Sequence, residues 1–148
     1  MLLLLLGWIL LSQVFLLTQA HGNEMFPAVK DGDLLIAYRL QGSYIKNDLV
    51  VYTVNGERKI GRIAGRETDV IMMDDSGTFT VNGTEQSGEI LYPTYAKEGL
   101  TYPYEIPEQS VFILCDYRTE GTDSRNFGAV PMSAVEGKVI TLLRRRGL

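Results

Sequence analysis

A mostly β domain behind one N-terminal transmembrane helix is the fold class that this sequence predicts, on three observations. Residues Met1 to Ala20 carry no charge and are dominated by leucine. From Asn23 onward, short apolar runs alternate with turn residues, and two Asn-Gly pairs mark tight hairpins. Outside the N-terminal stretch no amphipathic pattern reaches the roughly 12 residues that a surface helix needs.

At 1.5 Å per residue, Met1–Ala20 as a helix spans about 30 Å, one bilayer core. Thr18-Gln19-Ala20 would suit the small-residue cleavage site of a secretory leader. No Lys or Arg precedes the apolar run, however, as a leader's basic head requires. A retained anchor over residues 1–20 is expected, as the resemblance given below implies, with a β domain over 22–148 and a short cytoplasmic head ahead of Met1. Trp8 is expected to face lipid or a packing partner.

The strands follow in order. Leu34–Tyr38 is an apolar run between Gly32-Asp33 and Gln41-Gly42-Ser43. Leu49–Val54 is β-branched and aromatic, which suits a pleated, half-buried surface. Asn55-Gly56 turns it into a partner over Glu57–Ala64. Asp69–Met73 and Thr78–Val81 are short strands around Asp75-Ser76-Gly77, and Asn82-Gly83 is a second turn. Thr84–Glu108 is rich in Gly, Pro and Tyr and predicts an extended loop. Its tyrosines (Tyr92, Tyr95, Tyr102, Tyr104) suit either a binding surface or a cover over the sheet. Val111–Leu114 and Val139–Leu143 complete the β content.

The 148 residues suffice for one domain, and the net charge of −4 leaves no nucleic-acid footprint. One cysteine excludes an intrachain disulfide. Cys115 closes the run Val111–Leu114 and reads as a buried packing residue. His21 is the only histidine, so no His/Cys cluster supports a metal site, and no cofactor is expected. Arg144-Arg145-Arg146 reads as a solvated tail, or as a contact with anionic lipid headgroups worth about 1 kcal/mol per charge.

Three motifs carry a resemblance over nearly the whole chain. The first is Glu24-Met25-Phe26-Pro27 followed by Gly32-Asp33-Leu34-Leu35-Ile36. The second is Gly61-Arg62-Ile63-Ala64-Gly65 with Asp69 following. The third is Cys115-Asp116-Tyr117-Arg118, then Gly121-Thr122-Asp123-Ser124-Arg125-Asn126-Phe127-Gly128. They resemble the type I signal peptidases, membrane-anchored serine proteases with a Ser/Lys dyad. The resemblance implies that family's coiled, mostly antiparallel β-fold, with the bulk of the chain outside the cytoplasm and the anchor in the cell membrane.

It also assigns the chemistry. A serine hydroxyl needs a base. In this family a lysine kept neutral by burial supplies it, and an oxyanion hole stabilises the intermediate. Glu24 stands at the nucleophile position and Gly61 at the base position. Gly22 replaces the oxyanion hydroxyl, and Gly121 replaces the serine that orients the lysine. The implied scaffold is kept. Arg62 is expected to pair with Asp116 and Asp123 with Arg125, and Arg118 and Ser124 belong to the same frame. By strand alternation Lys59 shares a face with Gly61. Lys59 and Glu24 then either pair in the old site or remain two solvated charges.

Met25, Pro27 and Ile60 match positions that line the family's peptide groove, with Lys59 among them. Such a groove holds an extended strand by main-chain pairing and side-chain pockets. The replaced dyad and the ending Thr141–Leu148 resemble the SipA-type accessory proteins of Gram-positive pilus assembly. That resemblance implies a non-catalytic protein that binds pilin subunits or the pilus sortase. Two other readings remain open: a signal peptidase with an unconventional dyad, and a modulator of a true signal peptidase.

Overall fold

Leu2–Val14 form the helix α1, and the chain passes without a linker into strand β1, Phe15–Gln19. The computed structural model describes residues 1–86 and 91–144. The strands that follow are β2 (Leu34–Tyr38), β3 (Leu49–Val54), β4 (Glu57–Arg66), β5 (Val70–Met73), β6 (Phe79–Val81), β7 (Thr84–Glu85), β8 (Tyr104–Glu105) and β9 (Ser110–Leu114). A short helix α2 (Ser124–Phe127), strand β10 (Val130–Pro131), a 3-10 turn (Met132–Ala134) and β11 (Val135–Leu143) complete it. The larger sheet runs β1-β2-β11-β3-β4-β9-β10 and the smaller β7-β6-β5-β8. The strand pairings are antiparallel.

The helix expected over residues 1–20 is shorter, because its last third does something else. Phe15–Gln19 pair residue by residue with Tyr38–Leu34 of β2, so the backbone groups on the side of this edge strand that faces β2 join a ladder instead of a helix. Leu16 is buried against Ala37 and Val51. Thirteen residues reach about 20 Å. Among the described residues no helix is long and apolar enough to cross a membrane. The α1 residues are apolar on every side apart from Ser12 and Gln13, and none is buried.

Both Asn-Gly pairs form tight hairpins. Asn55 and Gly56 have φ of 52° and 77°, and Asn82 and Gly83 have 51° and 80°. Positive φ at both central residues gives a turn whose twist matches the flanking strands. β4 runs two residues past Ala64, and β11 begins four residues before Val139. The stretch expected as a loop from Thr84 contributes the two-residue strands β7 and β8 to the smaller sheet; residues 87–90 of it lie outside the described residues. Two of its four tyrosines, Tyr102 and Tyr104, pack on the core. Tyr92 stacks on Tyr117 at 4.4 Å, Tyr104 accepts a hydrogen bond from the Ala129 N–H at 3.0 Å, and Tyr102 packs on the core between the sheets. Tyr95 alone of the four is exposed.

Apolar side chains lie on both faces of the larger sheet. One face buries Val50, Tyr52, Ile63 and Ile113 under Phe127 and Met132. Ile71, Phe79 and Ile106 bridge to the smaller sheet over Phe112 and Leu114. Leu35, Met25 and Cys115 close the end nearest the first motif. Each fully buried side chain of this size contributes about 1.5–3 kcal/mol.

Candidate functional site

The turn that carries Glu24 is fixed from three sides. The Tyr117 N–H donates to the Glu24 carbonyl at 2.9 Å, and the Phe26 N–H donates to the Asn23 carbonyl at 3.0 Å. Met25 is buried, and its sulfur accepts from the Asp116 N–H at 3.3 Å. The first and third motifs therefore meet here, although Met25 and Asp116 lie 91 positions apart in the chain.

Glu24 and Lys59 make a pair. Lys59 Nζ donates to Glu24 Oε2 at 3.1 Å, and the Thr122 N–H donates to Oε1 at 3.2 Å. Lys59 faces Tyr52 across the β3–β4 ladder and Gly61 faces Val50, so Lys59 and Gly61 share a face as alternation requires. Thr122 as a partner was not legible in the sequence, because a backbone N–H leaves no mark on residue type.

The space that a side chain at position 61 would enter is filled. A Cβ added to Gly61 would overlap the Ile113 Cγ2 and lie 3.1 Å from a Tyr52 ring carbon. Position 121 is likewise filled. A Cβ there would overlap the Cys115 sulfur and lie 2.8 Å from the Cys115 Cβ. The resemblance implies a serine at 121; in this chain Gly121 packs against the bulkier Cys115.

Cys115 is buried, and its thiol donates to Asp123 Oδ2 at 3.1 Å. Burial, aided by the Asp123 charge, pushes its pKa up to about 12. A thiol so protonated is a packing group and not a nucleophile.

The scaffold pairs are closely made. Arg62 forks onto Asp116 through Nε at 2.9 Å and Nη2 at 2.7 Å. Asp123 caps α2 and holds Arg125 through both carboxylate oxygens. Burial would raise the Asp123 pKa, but the Arg125 guanidinium and the Cys115 N–H overcome it and hold it below the usual value. Ser124 Oγ accepts from the Ile113 N–H at 2.9 Å and ties the motif to β9. Arg118 is buried and donates to the Cys115 carbonyl at 2.6 Å and to Thr94 Oγ1 at 2.7 Å.

A cleft of about 570 Å³ opens beside Glu24, between Thr18–Gly22 at the end of β1 and Glu57–Ile60 of β4. Met25, Lys59 and Ile60 line it. Pro27 does not. The turn carries it to the opposite side, where it borders a separate cavity. Ile60 also packs into two core clusters, so it is as much a core residue as a lining one. The terminal arginines need a correction too. Arg144 is no solvated tail: it forks onto the buried Asp33 of the first motif, with Nη2 2.7 Å from Oδ2, and holds the Asp33 pKa down. Arg145 and Arg146 lie outside the described residues. No group of three or more metal-ligating side chains occurs among the described residues.

Comparison with known proteins places this geometry. A family model described as signal peptidase, peptidase S26, matches residues 1–143. The chain is similar to a signal peptidase I of Bacillus caldolyticus, 29% identical over 135 residues, with 80% of this chain and 74% of that protein covered. It is also similar to a mitochondrial ATP-independent inner membrane protease subunit 1b of Arabidopsis thaliana, 29% identical over 128 residues, covering 82% and 65%. Among solved structures, a signal peptidase I from Enterococcus faecalis superposes with a TM-score of 0.53 at 26% identity, over 67% of this chain and 97% of that one.

Proposed function

The chain belongs to the signal peptidase S26 family, and we propose that it is a member that binds an extended peptide without cleaving it. The observation that carries this reading is the Glu24–Lys59 pair. At position 24 the chain offers a carboxylate already engaged by an ammonium and a backbone N–H. An ammonium held this way has no lone pair with which to take a proton. The base position is a glycine whose side-chain space is occupied, which supports a reading in which positions 24 and 61 carry no nucleophile–base pair.

The cleft persists beside that pair. Its walls come from the end of β1 and the hairpin end of β4, an arrangement that suits an extended chain pairing with exposed strand backbone. In this reading α1 enters the membrane and holds the domain at its outer surface, which suits a helix apolar on nearly every side. The partner class rests on the resemblance to SipA-type proteins: pilin subunits, or the sortase that joins them.

Two measurements test the proposal. The full chain in detergent should not cleave a signal-peptide substrate above background. Turnover that disappears in Glu24→Ala or Lys59→Ala would instead establish an active peptidase with an unconventional site. The binding half is tested by Thr18→Trp, which narrows the cleft from β1 without touching a core cluster. Pilus polymerisation in the cell should fall while the melting temperature stays unchanged. Normal polymerisation with a folded Thr18→Trp protein would place the partner elsewhere.

A further inference from the structure

The larger cavity, about 1020 Å³, lies between the two sheets and shares no lining residue with the cleft. Its lining is mostly polar, Arg62, Asp116, Glu85 and Arg118 among it, with apolar surface offered chiefly by the exposed Leu91 at its edge. Arg118 is only 6% exposed. Charged side chains buried to this degree are normally paired. Arg58, Arg62, Arg125 and Arg144 each have a carboxylate within 4 Å. Arg118 has none among the described residues. The nearby Asp116 and Asp123 are taken by Arg62 and Arg125.

The Arg118 guanidinium is nevertheless held in place. Nε and Nη1 donate to the Cys115 carbonyl and Thr94 Oγ1, and the group lies 5.8 Å from the centre of the Phe79 ring. Nη2 has no acceptor among the described residues. Burial and the neighbouring Arg125 charge pull the Arg118 pKa below its usual value, the mark of a cation short of an anion. Lys46 stands exposed at the cavity's edge as a second positive group.

We propose that this cavity is a second binding site, which takes a carboxylate carried on an apolar peptide segment, with Arg118 as its receptor. A guanidinium whose Nη2 has no acceptor can donate a charge-assisted hydrogen bond to a carboxylate oxygen. The exposed Leu91 at the cavity's edge offers an apolar contact for the carbon of a peptide segment. Glu85 at the rim disfavours a doubly charged group such as phosphate. The inference does not depend on the cleft being a peptide site.

The test uses the full chain in detergent, with the arginine Nε–H resonances and the backbone amides followed by NMR. Four probes are titrated: a capped five-residue peptide with one glutamate between leucines, its glutamine twin, that twin with a free C-terminus, and inorganic phosphate. The glutamate peptide should give saturable shifts at Arg118 Nε and at the Gly77 and Thr78 amides, and the glutamine twin should not. Lys46→Glu, a surface change that leaves the fold alone, should weaken this binding about fourfold, the scale of one exposed charge. Arg118→Gln should abolish it if the variant folds. Saturable shifts from the free-terminus peptide would support the site with a chain end as the source of the carboxylate. Equal shifts from the glutamine twin, shifts from phosphate alone, or none from any peptide at millimolar concentration would overturn the proposal.

Discussion

Glu24–Lys59 and Asp123–Arg125 are two carboxylate–cation pairs of nearly equal length, 3.1 and 2.9 Å. Their surroundings differ. The Glu24 and Lys59 side chains keep 37% and 11% of their exposure, and those of Asp123 and Arg125 keep 0% and 1%. Water therefore competes for the first pair and not for the second. The first, at the edge of a cleft, contributes about 0–1 kcal/mol. Breaking the second leaves a buried charge without a partner and costs about 3–5 kcal/mol. The same chemistry thus marks a replaceable position in one place and a structural keystone in the other.

Asp123→Asn should be the most damaging change to the pair of sites. It strands the Arg125 guanidinium and weakens the cap of α2, and chemical denaturation should show a loss of about 3–5 kcal/mol. A loss under about 1 kcal/mol would mean that the two pairs are equivalent after all.

Acid should separate them next. Asp123 and Asp33 both have depressed pKa values in the folded chain, through Arg125 and Arg144 respectively. A carboxylate of this kind contributes stability above its unfolded pKa, about 3.9, and loses it as pH falls toward the folded value. The melting temperature should hold from neutral pH to about 4 and drop below it. In Asp123→Asn the drop should be shallower. An onset unchanged in both extent and steepness would remove Asp123 from the account.

Refilling the two glycine positions should have intermediate effects that depend on their neighbours. Gly61→Lys alone forces Ile113 aside, and overpacking of this kind costs about 1–3 kcal/mol; Ile113→Ala should recover most of it. Gly121→Ser should be disfavoured beside Cys115 and tolerated with Cys115→Gly. Thermal melts of the single and double variants measure both relationships. Peptidase activity should need Glu24→Ser and Gly61→Lys together with these relieving changes, because such groups act as a unit. Activity from Glu24→Ser alone would contradict that.

Glu24→Gln should be the mildest. It keeps the side chain's size and an acceptor for the Thr122 N–H, so stability should change by no more than about 1 kcal/mol. A larger loss by denaturant titration would show that the cleft-edge pair is itself structural.

The central strands and both hairpins were legible in the residues because their causes are local, whereas the two scaffold pairs came from the family resemblance, Arg62 and Asp116 lying 54 residues apart. Asn-Gly dictates positive φ at two successive positions, and a β-branched run dictates a strand wherever it packs. The resemblance implied Asp116 for Arg62 and Asp123 for Arg125, and alternation along β4 put Lys59 on the face of Gly61. Residues 15–19 read locally as the end of an apolar helix. They became a strand because β2 offered them a ladder, which no property of those five residues announces. Arg144 read as a tail because its partner, Asp33, lies 111 residues away. Whether Glu24 and Lys59 met, whether Pro27 lined the cleft, and whether Cys115 filled the space beside Gly121 were all settled by packing between distant segments. Sequence spacing carries local conformation, whereas the contents of a site depend on which remote atoms reach the same few ångströms.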